Sequence, residues 1–356
     1  MAQPSQQAAP GIWRQVFAAL SGSGAPLDAQ LLPAAERLAA LTSPALAAHL
    51  FGAQAGSSFN AAAAEASRLL TRFRRVSALR WVAAAAAAGI EVICLKGLGT
   101  AHLLYPDPDL RPMADADLLV RAGDYSRLLD LLRAGGFRSA GFDPTSPWGF
   151  IGDASFQPLI SADRAVNIDL HIHPDAWPLH RGLDTAMLFA ESRRCATGEG
   201  EIRLPAPDHM LLLTASHAAR DLFQPYTVKS LIDAALLLQR HQAAIDWNRL
   251  TAVAAAGRTT RALKVTLALL ARLGLDLPAV PRALQRRPAG LAGGEFERLV
   301  RTFEAVPGPA IDRPLAKLRR EWLLTAGPDI ALRRNLIRLR GLLRRKPGLP
   351  AARPGA

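Results

Sequence analysis

Residues 91–120, EVICLKGLGTAHLLYPDPDLRPMADADLLV, constrain this chain more than any other stretch. They open with an apolar run, Val92-Ile93-Cys94-Leu95, of the length of a buried strand. The run stops at Lys96-Gly97, where a glycine permits a sharp turn or a close approach to a ligand. A proline-rich connection then leads to Asp115-Ala116-Asp117-Leu118-Leu119-Val120. Side chains at i and i+2 of a strand share a face, so Asp115 and Asp117 are expected side by side. Two carboxylates so placed repel each other unless a cation or a proton lies between them. Hard oxygen donors suit magnesium, which keeps several waters and completes its shell with substrate phosphates. The competing reading is a solvated strand end carrying two acids, and the apolar Leu118, Leu119 and Val120 speak against it.

A second strand pattern lies at residues 166–173. Ile168, Leu170 and Ile172 alternate with Asn167, Asp169, His171 and His173, so one face is apolar and the other polar. One reading is a half-exposed hairpin with a polar outer face. Another is a His-x-His pair, His171 with His173, holding zinc beside the acids of a metal-dependent hydrolase.

Lys96-Gly97, Tyr105-Pro106-Asp107-Pro108, Leu110-Arg111-Pro112-Met113 and the run from Asp115 to Val120 together resemble the signature of a family of largely uncharacterised nucleotidyltransferases. That family belongs to the DNA polymerase beta-like superfamily, and the resemblance covers about residues 81–274. LYPDPDLRPMADADLLV is its specific part; a bare Asp-x-Asp is not. Leu98 stands where the superfamily usually has Ser or Gly, and the gap from Gly97 to Asp115 is longer than usual.

The resemblance implies magnesium-dependent transfer of a nucleoside monophosphate from an NTP to an acceptor hydroxyl or phosphate that the sequence does not name. Asp115 and Asp117 would hold the metal. Asp169 would be the third carboxylate, holding a second metal, accepting the acceptor's proton, or both. Lys96, Gly97, Arg111 and Lys229 would meet the triphosphate, where cations offset charge built up in the transition state. Arg111 is equally well read as a structural partner of Asp107 or Asp109, and Lys229 can pair with Asp233 four residues on. His217, in LLLTASH, matches the family's helix histidine, although a lone helical His also reads as a core residue. Besides the hydrolase, the other alternative is a catalytically silent nucleotidyltransferase-like fold acting as a binding module.

The fold class expected is α+β. A small mixed sheet (residues 89–206) is flanked by N-terminal helices (1–88) and a C-terminal helical domain (207–328), with a basic amphipathic tail (329–356). Residues 60–88, rich in Ala, Leu and Arg without proline, are expected to form one long helix or two, with Gly89 as the C-cap. Leu69, Leu70, Phe73 and Val76 supply its apolar face, and Ser67, Arg68, Arg72, Arg74 and Arg75 its polar one. Strands are expected at 137–141 and 155–161, a short pair across 192–204, and helices at 122–134, 209–222, 228–241, 247–256 and 259–273.

Charge is concentrated at one end. Residues 313–356 carry twelve Lys or Arg against Glu321 and Asp329, a balance of +10 in a total of +13, so the preceding 312 residues hold only +3. Within the tail, Leu332, Leu336, Leu339 and Leu343 fall near one helical face among six arginines between Arg333 and Arg345. Such a helix can make a weak contact with an anionic membrane or nucleic acid; the alternative is a docked terminal helix with a solvated basic face. No apolar run approaches a membrane span, residues 1–10 lack a secretion signal, and Cys94 and Cys195 form no paired framework. These features point to a cytoplasmic protein without a transmembrane segment.

Overall fold

The computed structural model describes residues 11–23, 26–52, 60–139, 159–286, 293–304, 306, 327–333 and 335–336. Three short helices lead in: α1 (Ile12–Ala18), α2 (Ala35–Leu41) and α3 (Pro44–Phe51), the last capped by the Ser43 hydroxyl accepting from Leu46 N–H at 3.1 Å. Asn60 caps the long helix α4 (Ala61–Ala87) in the same way, and Gly89, at φ +69°, turns the chain out of it. β1 (Val92–Cys94) follows, then a helix that the sequence reading missed, α5 (Lys96–Leu104), then β2 (Ala116–Val120) and α6 (Tyr125–Ala134).

β3 (Arg138–Ser139), β4 (Leu159–Ile160) and β5 (Asn167–His171) come next, followed by α7 (Thr185–Glu191) and the hairpin β6 (Arg193–Thr197) and β7 (Gly200–Leu204). The remaining helices are α8 (Pro207–Arg220), α9 (Val228–His241), α10 (Trp247–Ala256), α11 (Thr260–Arg272), α12 (Arg282–Gln285) and α13 (Gly293–Glu304). The seven strands form one mixed sheet in the order β3-β4-β5-β2-β1-β7-β6. Two pairings are parallel, β2 with β5 and β1 with β7; the others are antiparallel. The fold is therefore α+β with a mixed sheet, as the residue patterns implied. One hydrophobic core runs from Ile12 in α1, through the sheet, to Val306 after α13.

The faces of α4 differ from expectation. Leu69, Leu70 and Phe73 are exposed, while Thr71, Arg75, Ala78, Leu79, Val82 and Ala85 are buried. Spacings of three and four along that second set put these residues on one buried face of the helix. Arg75 is tolerated among them because Asp109 (2.9 Å) and Glu199 (3.1 Å) both accept from its guanidinium.

The turn after β1 also differs. Lys96, not Gly97, has the left-handed conformation (φ 39°). The glycine under steric constraint is Gly99, where a Cβ would lie 2.5 Å from the Cys94 carbonyl oxygen and 3.2 Å from Leu204; at Gly97 the nearest atoms are 3.7 Å away. Gly99→Ala should therefore lower stability by about 1–3 kcal/mol, because backbone overlap outweighs the helix-propensity gain of about 1 kcal/mol. Gly97→Ala should melt at or above the parent. Parallel thermal melts check this, and a Gly99→Ala variant as stable as the parent would remove the close-packing account.

The basic tail is described only in part. Residues 328–333 and 335–336 are helical, tied down by Arg258 Nη2 on Asp329 Oδ1 at 2.7 Å and by the Arg333 guanidinium 4.4 Å from the Trp177 ring centre. Ile330 and Ala331 are buried, whereas Leu332 and Leu336 are exposed, so the packed side is not the leucine stripe. The remainder of the tail, residues 1–10, and the expected strand residues at 140–141 and 155–158 lie outside the described residues. Among the described residues no helix is long and apolar enough to cross a membrane.

Candidate functional site

The parallel register of β2 and β5 brings the acids together. Asp117 stands opposite Asp169, and Leu119 opposite His171. Ligand-capable atoms of Asp117, Asp169 and His171 all lie within 4.8 Å of one another, a grouping able to hold a metal ion. Asp115 sits one residue before β2, half-buried and outside that tight group, but it lines the same cavity.

Asp117 is the electrostatic centre. Its Oδ1 accepts from Lys96 Nζ at 2.6 Å and from His171 Nε2 at 2.9 Å. A carboxylate oxygen only accepts, so Nε2 carries the imidazole proton. Burial works against ionisation of Asp117, yet Lys96 and His171 outweigh it and hold its carboxyl well below the ordinary carboxylate range. Burial likewise opposes the Lys96 charge, and Asp117 more than compensates, raising its pKa. Asp115 behaves oppositely: burial and then repulsion from Asp117 push it up. Burial lowers His171, so the ring is neutral at pH 7.

A cavity of about 270 Å³ opens over these groups. Its lining includes Lys96, Gly97, Arg111, Asp115, Asp117, Asp169 and Lys229, so every residue singled out in the sequence for metal or triphosphate borders one space between the sheet and helices α8 and α9. Lys96 and Gly97 are the first turn of α5, whose N-cap Leu95 offers no side-chain acceptor. The positive end of that helix faces the cavity.

Arg111 lines the cavity, as its expected triphosphate role requires, but its structural pairing differs from expectation. Its partner is neither Asp107 nor Asp109 but Asp233 of α9, which accepts from Nε at 2.9 Å and from Nη2 at 2.8 Å. Tyr105 (2.9 Å) and Thr100 (3.2 Å) donate to the same buried carboxylate, and Arg111 Nη1 donates to the Pro112 carbonyl at 2.5 Å. Asp107 and Asp109 are taken by Arg68 and Arg75 of α4. The expected Lys229–Asp233 pairing is displaced for the same reason: Asp233 is already committed. Burial, then Arg111, lowers the Lys229 pKa.

His217 lines the cavity and receives a hydrogen bond on Nδ1 from Arg220 Nη2 at 2.8 Å. Burial and the cations Arg220 and Lys96 push its pKa down to about 3, so it stays neutral. Arg220 also donates to Asp175 at 3.1 Å, and neither residue was singled out in the sequence because the contact spans 45 positions. The alternative pairing of His171 with His173 does not form among the described residues. β5 ends at His171, and His173 stacks on His180 with ring centres 4.7 Å apart, outside the metal-capable group.

The donor set fits a hard divalent cation. Two facing carboxylates with a third nearby offer oxygen ligands, and His171, whose Nε2–H is donated to Asp117, keeps Nδ1 as a nitrogen ligand.

No curated protein and no solved structure matches this chain. Residues 34–274 match a family described as "Uncharacterised nucleotidyltransferase", a span that begins in the N-terminal helices and so includes α4 as well as the sheet and α8 to α11. That match covers more than half of the 356 residues, and the chain belongs to this uncharacterised nucleotidyltransferase family.

Proposed function

We propose that the protein transfers a nucleoside monophosphate from an NTP to an acceptor hydroxyl or phosphate, with magnesium held by Asp115, Asp117 and Asp169. The observation that carries this reading is the register that sets Asp117 beside Asp169 in a cavity also lined by Lys96, Gly97 and Lys229. The raised pKa of Asp115 supports it, since a carboxylate whose charge is disfavoured by burial and by Asp117 gains most from a bound cation.

In this mechanism Lys229 and the first-turn amides of α5 bind the triphosphate oxygens. Arg111, fixed on Asp233, holds the 111–113 segment over the cavity. Held by Asp115, Asp117 and Asp169, magnesium would supply charge neutralisation at the phosphates and would acidify the attacking oxygen. That oxygen forms a bond to the α-phosphorus, the bond from the α-phosphorus to the β-phosphate oxygen breaks, and pyrophosphate leaves. Asp169, half-buried and on the cavity wall, accepts the acceptor's proton. His171 orients Asp117 through its Nε2–H.

The test compares the parent with Asp169→Asn for binding and turnover of the four NTPs with magnesium, using cell extract as the source of acceptor. Loss of a base should lower the chemical step by about 10²–10⁴-fold while NTP binding changes only a few-fold. Binding of none of the NTPs by the parent, or full turnover by the variant, would overturn the reading.

A further inference from the structure

Six large apolar or aromatic side chains are exposed among the described residues, and of these Tyr226 (54% exposed) is the one that lines the cavity. A side chain so exposed gives up part of the gain of burying its area, and this one borders the cavity.

The local backbone is built to display it. After α8 the chain passes through two consecutive left-handed residues, Leu222 (φ 58°) and Phe223 (φ 48°). Such conformations are disfavoured for side chains of this size and persist where the surroundings over-determine them. Here the Leu222 amide donates to the Ala219 carbonyl and the Phe223 amide to the Ala218 carbonyl, each at 2.9 Å, and both side chains are buried. The turn then closes with Thr227 N–H and hydroxyl on the Gln224 carbonyl, at 2.8 and 2.7 Å. Within residues 222–228 every side chain is buried except Tyr226. A pinned turn thus holds one aromatic ring outward, three residues before Lys229, with both lining the cavity.

The cavity's size says what the ring would meet. About 270 Å³ falls below the roughly 300–1,000 Å³ of pockets that enclose a whole drug-sized ligand. With the cationic and carboxylate groups occupying the triphosphate and metal for the reaction, the nucleobase is left to project towards the mouth.

We propose that Tyr226 is the nucleobase platform of this site, stacking the base of the incoming NTP while Lys229 on the next turn contacts its phosphates. The inference rests on the nucleotidyl-transfer reading. Stacking is tolerant of base identity because every base offers a π face, so Tyr226 supplies affinity for nucleosides as a class and does not choose among them.

Calorimetry with magnesium, using each of the four NTPs and inorganic tripolyphosphate, tests it on the parent, Tyr226→Ala and Tyr226→Phe. Loss of a stacked base weakens binding by about 5- to 150-fold on alanine substitution, so Tyr226→Ala should lose that much for every NTP. Tripolyphosphate should bind it as it binds the parent, and Tyr226→Phe should stay within about twofold of the parent, since the ring is kept. Unchanged NTP affinity in Tyr226→Ala, equal loss of tripolyphosphate, or a Tyr226→Phe defect as deep as that of alanine would each overturn the stacking role. A parent that binds NTPs with Tyr226→Ala unaffected sinks this inference alone, whereas a parent that binds neither NTP nor tripolyphosphate sinks the nucleotidyl-transfer reading beneath it.

Discussion

Asp117→Asn is expected to abolish magnesium-dependent NTP turnover and to destabilise the fold, whereas Asp115→Asn should abolish turnover and leave stability unchanged or slightly improved. Adjacency of two like charges, taken alone, predicts relief from either change. The geometry separates them. Asp117 is the counter-ion of Lys96, 2.6 Å away, and the hydrogen-bond acceptor of His171. Removing one partner of a buried pair costs about 3–5 kcal/mol, because the other charge is left without compensation. Lys96 keeps 18% of its side-chain exposure, so the lower end of that range applies. Among the described residues Asp115 accepts no side-chain hydrogen bond and makes no close ion pair; Lys96 and Lys229 attract it only partly against burial and Asp117. Its pKa is raised by burial and by Asp117, so its charge at neutral pH opposes folding and its removal does not.

The two acids also differ in pH dependence. The depressed pKa of Asp117 means that its stabilisation is fully present above the unfolded carboxylate value of about 3.9 and fades as pH falls from there through its much lower folded value. Asp117→Asn should therefore lose part of the parent's acid sensitivity. Thermal melts of both variants between pH 3 and pH 7, beside turnover assays, check the set. Equal melting temperatures for the two variants at pH 7 would show that Lys96 does not depend on Asp117.

Much of this site was legible because its chemistry is carried by short strand patterns. The alternation from Asn167 to His171 and the Asp-Ala-Asp spacing each fix a face, and the spacing of the helices after residue 207 fixes their bounds closely. What sequence could not show is which elements become neighbours. Arg111 has Asp107 and Asp109 within four residues, yet its partner lies 122 positions away, because α5 and α9 pack together and leave Asp233 facing the loop. The face of α4 was partly misassigned for a related reason: Arg68 and Arg72 are exposed as expected, but Arg75 is buried and three of the four expected apolar residues are exposed. Leu69, Leu70 and Phe73 look like core residues, but the buried side of this helix is Thr71, Ala78, Leu79, Val82 and Ala85 with a twice-paired arginine, Arg75. α5 was missed because its first turn, Lys-Gly-Leu-Gly, carries two residues of the poorest helix propensity short of proline. Gly99 is there for its proximity to the Cys94 carbonyl, a tertiary constraint invisible in composition. Tyr226 carried no sequence signal at all, since one tyrosine after a proline is unremarkable until its neighbours are seen to be buried.

The buried pair of Arg111 and Asp233 should be the costliest single point in the site to break. Asp233 is 3% exposed and accepts from Arg111, Tyr105 and Thr100. Asp233→Ala leaves a buried guanidinium unpaired and two hydroxyls without their acceptor, so a loss of about 3–5 kcal/mol is expected, at the upper end because neither charge reaches water freely. Tyr105→Phe deletes one neutral hydrogen bond to a charged acceptor and should cost about 1.5–3 kcal/mol at most. A double replacement, Arg111→Met with Asp233→Leu, removes both charges together, and such exchanges are often close to neutral. It should be more stable than Asp233→Ala despite carrying two changes. The double variant also divides the two roles of Arg111. If the guanidinium acts by holding the 111–113 segment against α9, apolar packing preserves that hold and NTP affinity falls only modestly. If Nη1 itself meets a phosphate, affinity falls in the double variant by as much as in Arg111→Met alone, even with the fold restored. Melting curves and NTP calorimetry on Asp233→Ala, Tyr105→Phe, Arg111→Met and the double variant separate these outcomes. A double variant less stable than either single change would show that the ion pair, and not the packing around it, holds the two segments together.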